Sequence, residues 1–282
     1  MDAIKTFNIS TAASIVAASD GIKMAKHGAR AITSKCGAVD ILEELGVDVE
    51  CDATLVKKSI ERAGIGIFNG MSGKVHPQAL YRILSQIRFG TILNIAGSLA
   101  NPALPTFGVR GVYAKEMVVP IAEAMREIGY RRAFVVHGLS ADGTRGMDEV
   151  STLGETITAE LNDDGEINEI TIRAQEMGIE KGDESAILHQ ADRKTEAIRL
   201  LKILSGDELG DRREIVCLNA APILYIAGHA SDLPEGLEKA AEIIDNGKPI
   251  KKQKDWVSEQ NANPAEKLER LDKMLDLAYA ES

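Results

Sequence analysis

The chain has 282 residues, 44% of them hydrophobic and 27% charged. That composition belongs to a globular protein with room for one large domain or two modest ones, and excludes a disordered or fibrous chain. Its 33 Lys and Arg against 43 Asp and Glu give a formal charge of -10; this disfavours a nucleic-acid surface and leaves room for a local basic pocket around a small phosphate ligand. Three cysteines, Cys36, Cys51 and Cys217, match neither a disulfide framework nor a metal site and read as reduced thiols in a cytoplasm. No apolar run reaches the span of a bilayer and no leader pattern opens the chain, so the expectation is a soluble protein that is not exported.

In chain order, residues 11–19 (TAASIVAAS) predict a buried helix behind a Ser10 or Thr11 cap. Residues 22–25 predict a short strand that delivers Lys26, His27 and Gly28 at its C-terminal end, where α/β sheets place ligands. Helices follow over 37–45, stopped by Gly46, and over 52–63, then a strand over 65–68. A Gly-rich loop from Asn69 to Pro77 leads to a helix reaching about Arg88, and residues 94–105 (NIAGSLANPALP) read as turn-rich. Strand 108–113, helix 115–128 and strand 133–137 continue the alternation. Strands 157–161 and 166–173 form a hairpin about Asp163-Asp164-Gly165. The remainder is helical over 195–204, 213–229, 234–246 and 265–279, with Asn261 to Pro264 as a linker. The expected fold is α/β, a mainly parallel central sheet with helices on both faces and helices added at the C-terminus. Residues 1–253 form the α/β domain and 254–282 a linker and helix.

Two segments point to a phosphorylated ligand. Asn8, Ser10 and Thr11 put a carboxamide and two hydroxyls at a helix start, a pattern that serves equally as an N-cap and as a phosphate site. Lys26, His27, Gly28, Ala29 and Arg30, with Thr33 and Ser34 close behind, combine cations, a glycine and hydroxyls at a strand end, which favours anion binding. Asp148 and Glu149, in the run GMDEVS, are either an exposed acidic turn or ligands of a magnesium ion that bridges to a diphosphate. His137 and His76 read as packing or supporting residues.

Taken together, DAIKTFNISTAA (2–13), KHGARAITSKCGAVDILEELGV (26–47), GSLANPA (97–103), VVHG (135–138), GMDEVS (146–151) and LNAAPILYIAG (218–228) resemble the anthranilate phosphoribosyltransferase family, of the nucleoside-phosphorylase-type glycosyltransferase class. The resemblance implies an Mg²⁺-dependent transfer of ribose 5-phosphate from phosphoribosyl pyrophosphate to anthranilate in tryptophan biosynthesis, by a possible homodimer. It implies that Asp2, Thr6, Asn8, Ile9, Ser10 and Thr11 hold pyrophosphate and ribose. Lys26, His27, Gly28, Ala29, Arg30, Ala31, Ile32, Thr33, Ser34 and Ala38 would form the second part of the donor site. Ser10, Asp148 and Glu149 would hold magnesium, Ala29 and Arg88 would lie at the acceptor, and no catalytic base is needed for an aromatic amine. The family's Gly-Thr-Gly-Gly turn and the small N-terminal helical domain before it are expected to be largely missing. Ala29 stands where the family carries an acceptor-binding asparagine, Ala38 where it carries a serine, and Ser98 where it carries a proline. Competing readings are a paralogue with a different aromatic amine, a nucleoside phosphorylase, and a non-catalytic nucleotide- or nucleic-acid-binding protein on the same scaffold.

Overall fold

The structure, a computed structural model, describes residues 3–30, 36–75, 92–190 and 192–280. They fall into two compact units: a helical unit of residues 18–104, 190–207 and 244–282, and a sheet unit of residues 1–17, 105–189 and 208–243.

In the helical unit, β1 (Met24–Gly28) and β2 (Ile65–Asn69) pair in parallel, with Lys26 opposite Ile67 and Gly28 opposite Asn69. Every residue of β2 is buried, which is why Ile65 to Phe68 do not alternate with polar residues. The helix Ala53–Ala63 precedes it: the Asp52 carboxylate accepts the Leu55 N–H at 2.9 Å, and Gly64 ends the helix at φ 78°. The helix Arg193–Ser205 is built the same way, with Asp192 accepting the N–H groups of Lys194 and Thr195 and Gly206 closing it.

The open edge of β2 is closed by one side chain. The Gln260 amide accepts the Ile67 N–H at 3.0 Å and donates to the Ile67 carbonyl at 3.2 Å. It also accepts the Trp256 indole N–H at 2.8 Å and donates to the Asp48 carbonyl at 3.1 Å. Gln260 therefore does for Ile67 what a neighbouring strand would do. It sits between the helices Lys248–Glu259 and Pro264–Ala280. The first of these was not expected from the sequence; Pro249 lies in its first turn, where a proline is tolerated rather than disruptive.

The sheet unit holds β3 (Phe107–Gly111), β4 (Arg132–Leu139), β5 (Gly146–Met147), β6 (Thr156–Leu161) and β7 (Ile167–Ile172). β3 and β4 are parallel, while β4 runs antiparallel to both β5 and β6, and β6 antiparallel to β7. The expectation of a mainly parallel sheet is thus corrected: this sheet is mixed. Parallel pairing requires a long crossover, usually a helix; β3 and β4 are joined through the helix Val118–Ile128, whereas residues 140–155 between β4 and β6 carry the short strand β5 and no helix. The chain returns from β6 to β7 by a tight turn with Gly165 at φ 86°. Phe134, Val136, Val150, Ile172, Leu218 and Ile226 form the core of this unit.

Two boundaries moved. Lys26, His27 and Gly28 belong to β1 rather than following it. Residues 92–99, expected to begin a turn-rich segment, include the helix Ile92–Leu99, because the first helix-breaking proline comes only at Pro102. The expected helix to about Arg88, with His76 and Pro77, lies outside the described residues. No helix among the described residues is long and apolar enough to cross a membrane.

Replacing Gln260 by Leu would leave the Ile67 N–H and C=O, the Trp256 N–H and the Asp48 carbonyl without their partner. The expected loss is about 3–5 kcal/mol, from about 1–3 kcal/mol for each buried group left unpaired and partial relief by relaxation. Urea unfolding of Gln260→Leu checks this, and a midpoint equal to the parent's would refute it.

Candidate functional site

The segment entering the first helix, Ile9–Ser19, is strapped down from one side. Thr6 bridges Leu188, the Phe7 N–H donates to the Ile187 carbonyl at 3.1 Å, and the His189 N–H donates to the Lys5 carbonyl at 3.1 Å. Arg212, buried beneath, donates to the Ala186 and Leu188 carbonyls at 2.7 and 2.9 Å, and its guanidinium lies 4.7 Å over the Phe7 ring. At the helix start the side chains divide: Ile9 and Thr11 are fully buried, Asn8 is half-buried and Ser10 is exposed. Hydroxyl chemistry toward a ligand therefore rests on Ser10, while Thr11 Oγ1 is enclosed and has no hydrogen-bond partner among the described residues. Asp2 lies outside them.

The same N-terminal segment is tied to the acidic loop. The N–H groups of Ala3 and Ile4 both donate to the Gly146 carbonyl, at 3.0 and 3.2 Å. Two residues further on, Asp148 is exposed and Glu149 partly so, between the buried Met147 and Val150. The backbone of this loop is pinned. Asn219 does the pinning: its side chain accepts the Val150 N–H at 2.8 Å, donates to the Val150 carbonyl at 2.9 Å, and donates back to Ile215 at 2.8 Å.

Three glycines let the chain approach closely enough. A Cβ on Gly111 would overlap the Asp148 carbonyl oxygen at 1.6 Å, and one on Gly138 would lie 2.4 Å from the Glu149 carbonyl oxygen. One on Gly146 would lie 2.2 Å from the His137 ring. His137 is buried and donates from Nδ1 to the Val112 carbonyl at 2.8 Å, a packing role. The roles of Asn219, Arg212 and Gly111 escaped the sequence reading, which had Gly138 and Gly146 within its motifs; a glycine inside a predicted strand was the available signal for Gly111.

In the helical unit, Lys26 to Arg30 run along β1 and just beyond it. The Gly28 carbonyl accepts the Gly70 N–H at 2.7 Å and the Ala29 carbonyl accepts the Val39 N–H at 3.4 Å. Gly28 is required here by neighbours, since a Cβ would stand 3.3 Å from both Ala38 and Ile67. Lys26, His27 and Ala38 are partly exposed. Arg30 forks onto Glu43 at 2.7 and 3.1 Å and also reaches Asp40 at 3.3 Å and Glu50 at 3.0 Å. Hydrogen bonding from Arg30 holds the Glu43 carboxyl below its usual range, so the pair stabilises the fold at neutral pH and is lost only as pH falls through that lowered value. Ala31, Ile32, Thr33, Ser34 and Arg88 lie outside the described residues.

The sequence profile described as "Glycosyl transferase family, a/b domain" matches residues 2–250. An anthranilate phosphoribosyltransferase of Clostridium kluyveri is 38% identical over 260 residues, covering 92% of this chain and 75% of that protein. The crystal structure of anthranilate phosphoribosyltransferase from Thermus thermophilus superposes with a TM-score of 0.81 at 31% identity, covering 93% of this chain and 76% of that one. The Saccharomyces cerevisiae enzyme in complex with PRPP and Mg gives a TM-score of 0.77 at 26% identity, covering 91% and 70%. The chain belongs to the anthranilate phosphoribosyltransferase family.

Removing the Asn219 amide isolates its contribution to the acidic loop. Asn219→Ala is expected to lower stability by about 2–4 kcal/mol and to accelerate amide hydrogen exchange in peptides covering 147–153. Unchanged exchange there would show that the loop is held by other means.

Proposed function

We propose that the protein is a magnesium-dependent pentosyltransferase that moves the 5-phosphoribosyl group from phosphoribosyl pyrophosphate to the amine of anthranilate, releasing pyrophosphate, in tryptophan biosynthesis. The observation that carries this reading, beyond family membership, is the seating of Asp148 and Glu149: a loop fixed by Asn219, Gly111 and Gly138 that leaves Asp148 exposed and Glu149 partly exposed.

The donor set suits the ion. Mg²⁺ keeps several waters and is held through one or two carboxylates plus substrate phosphate oxygens. Two carboxylates and one hydroxyl would form a partial shell that the oxygens of a diphosphate complete. Asp148 and Glu149, with the exposed Ser10 hydroxyl, would hold the ion, which when bound neutralises charge on the departing pyrophosphate.

The chain's own residues supply the rest. Thr6, Asn8 and Ser10 would take the pyrophosphate and ribose through hydroxyl and amide groups, with Ile9 and Thr11 limited to main-chain contacts by their burial. Lys26, with the main chain at His27 to Ala29 and at Ala38, would serve the phosphoribosyl donor in the helical unit. As the C1–O bond breaks, its electron pair leaves with pyrophosphate and the amine nitrogen bonds to C1, then sheds a proton to water. Positive charge builds at the ribosyl centre and negative charge at the leaving group, so electrostatic stabilisation of the leaving group dominates. We place the protein in the cytoplasm as a homodimer; its three buried cysteines form no disulfide, which supports a reducing compartment.

A second reading concerns the acceptor. Ala29 presents only a methyl group, and its carbonyl is directed to Val39, so the acceptor carboxylate would lack an amide partner at this position. A different aromatic amine is then the natural substrate.

One assay separates these readings. Anthranilate consumption that requires both PRPP and Mg²⁺, and is abolished by Asp148→Asn, is the expected outcome. Ala29→Asn should leave kcat/KM for anthranilate within a factor of about three; a rise of tenfold or more, about 1.4 kcal/mol, would favour the different acceptor. Phosphate-dependent nucleoside cleavage in place of this transfer would overturn both.

A further inference from the structure

Arg30 has the features expected of a phosphate ligand in sequence, yet its charge is already engaged. Both terminal nitrogens of the guanidinium fork onto Glu43, at 2.7 and 3.1 Å; one also reaches Asp40 at 3.3 Å and the other Glu50 at 3.0 Å. Asp40 and Glu43 lie in the helix Ala38–Glu44, and Glu50 in the turn that follows it. Asp40 is fully buried in the helix Ala38–Glu44, accepts the Gly37 N–H at 2.9 Å, and pairs with Arg193 at 3.1 Å. Glu50 accepts a second bond from the Asn69 side chain at 3.0 Å, at the end of β2, and its carbonyl accepts from Lys74 Nζ at 2.6 Å. Three carboxylates meet two arginines here, with the Lys74 ammonium beside Glu50. A phosphate brought to Arg30 would approach Glu43 and Glu50, both about half-exposed, against their field.

We propose that Arg30 is a positioning residue and not a phosphate ligand. Its guanidinium closes a ring from the end of β1 through the helix Ala38–Glu44 and the turn at Glu50 to the end of β2, and so fixes the main chain of residues 26–29. The fork geometry is what an arginine provides and a lysine cannot, since two parallel N–H donors lock direction as well as distance. Beyond the β1–β2 ladder, the main-chain bonds from Gly70 to Gly28 and from Val39 to Ala29 tether that segment, and Arg30 adds a side-chain tether just after it. Its consequence for catalysis rests on the phosphoribosyl transfer proposed above.

The two roles predict opposite signs when the carboxylates are neutralised. In the full chain, Glu43→Gln/Glu50→Gln and Arg30→Lys should each raise the KM for PRPP, by about tenfold or more, because a misplaced segment binds poorly. Each should also accelerate hydrogen exchange in peptides covering 24–30. If Arg30 were a phosphate ligand, neutralising its competitors would release it and lower that KM while Arg30→Lys raised it; this result, or an unchanged KM and exchange in both variants, overturns the proposal. Glu50→Gln alone, at a half-exposed position, serves as the milder variant with the same signs. If no PRPP-dependent turnover exists the transferase reading fails by itself, and exchange in the ligand-free protein still decides whether Arg30 holds the segment.

Discussion

Main-chain polar groups that are buried without a partner cost more than almost any other local defect, and segments that leave regular structure to meet a ligand create such groups. In this protein buried carboxamides satisfy them. Asn219 takes both main-chain groups of Val150, immediately after the acid pair. Gln260 takes both main-chain groups of Ile67 in β2. Asn101 donates to the Ala25 carbonyl in β1 at 2.8 Å. A carboxamide can donate and accept in one plane, so it replaces a peptide group where no strand can run. The candidate site depends on this substitution, because it lets a short loop be rigid in its backbone and exposed in its carboxylates.

Electrostatics follows from the same arrangement. Asp148 is exposed and Glu149 partly so, on an apolar footing of Met147 and Val150. Cys51 shows the contrast: burial, aided by the nearby Asp48 and Asp52 charges, pushes its thiol up to about 11. It is inert as a nucleophile at neutral pH. The cations also divide by environment. Arg30 and Arg212 are committed to protein acceptors, which makes them parts of the frame.

Local punctuation was legible in the sequence. Asp52 and Gly64 bound the helix Ala53–Ala63, and the Asp163-Asp164-Gly165 turn joined two antiparallel strands. The motifs that signal the family were legible too, because they are collinear along the chain. Strand direction was not: hydrophobic runs at β4 and β6 are the same whether the partner is parallel or antiparallel, and the connection over residues 140–155 is long enough for either. Arg30 looked like a solvated or ligand-binding cation because its partners Glu43 and Glu50 lie 13 and 20 residues away. Asn219 sat within an apolar stretch that read simply as a helix, and its contact with Val150 spans 69 residues. Pairings at such separations leave no local signature.

The central claim is that the helix start and the acidic loop of the sheet unit serve one ligand. A double-mutant cycle tests it most directly: the affinity for Mn²⁺, as a paramagnetic surrogate for magnesium, measured by electron paramagnetic resonance with pyrophosphate present. The proteins compared are the parent, Ser10→Ala, Asp148→Asn and the double variant. A shared ligand predicts a coupling of at least about 1 kcal/mol between the two positions. Additive effects, agreeing within about 0.3–0.5 kcal/mol, would mean that Ser10 and Asp148 act independently and would contradict the account.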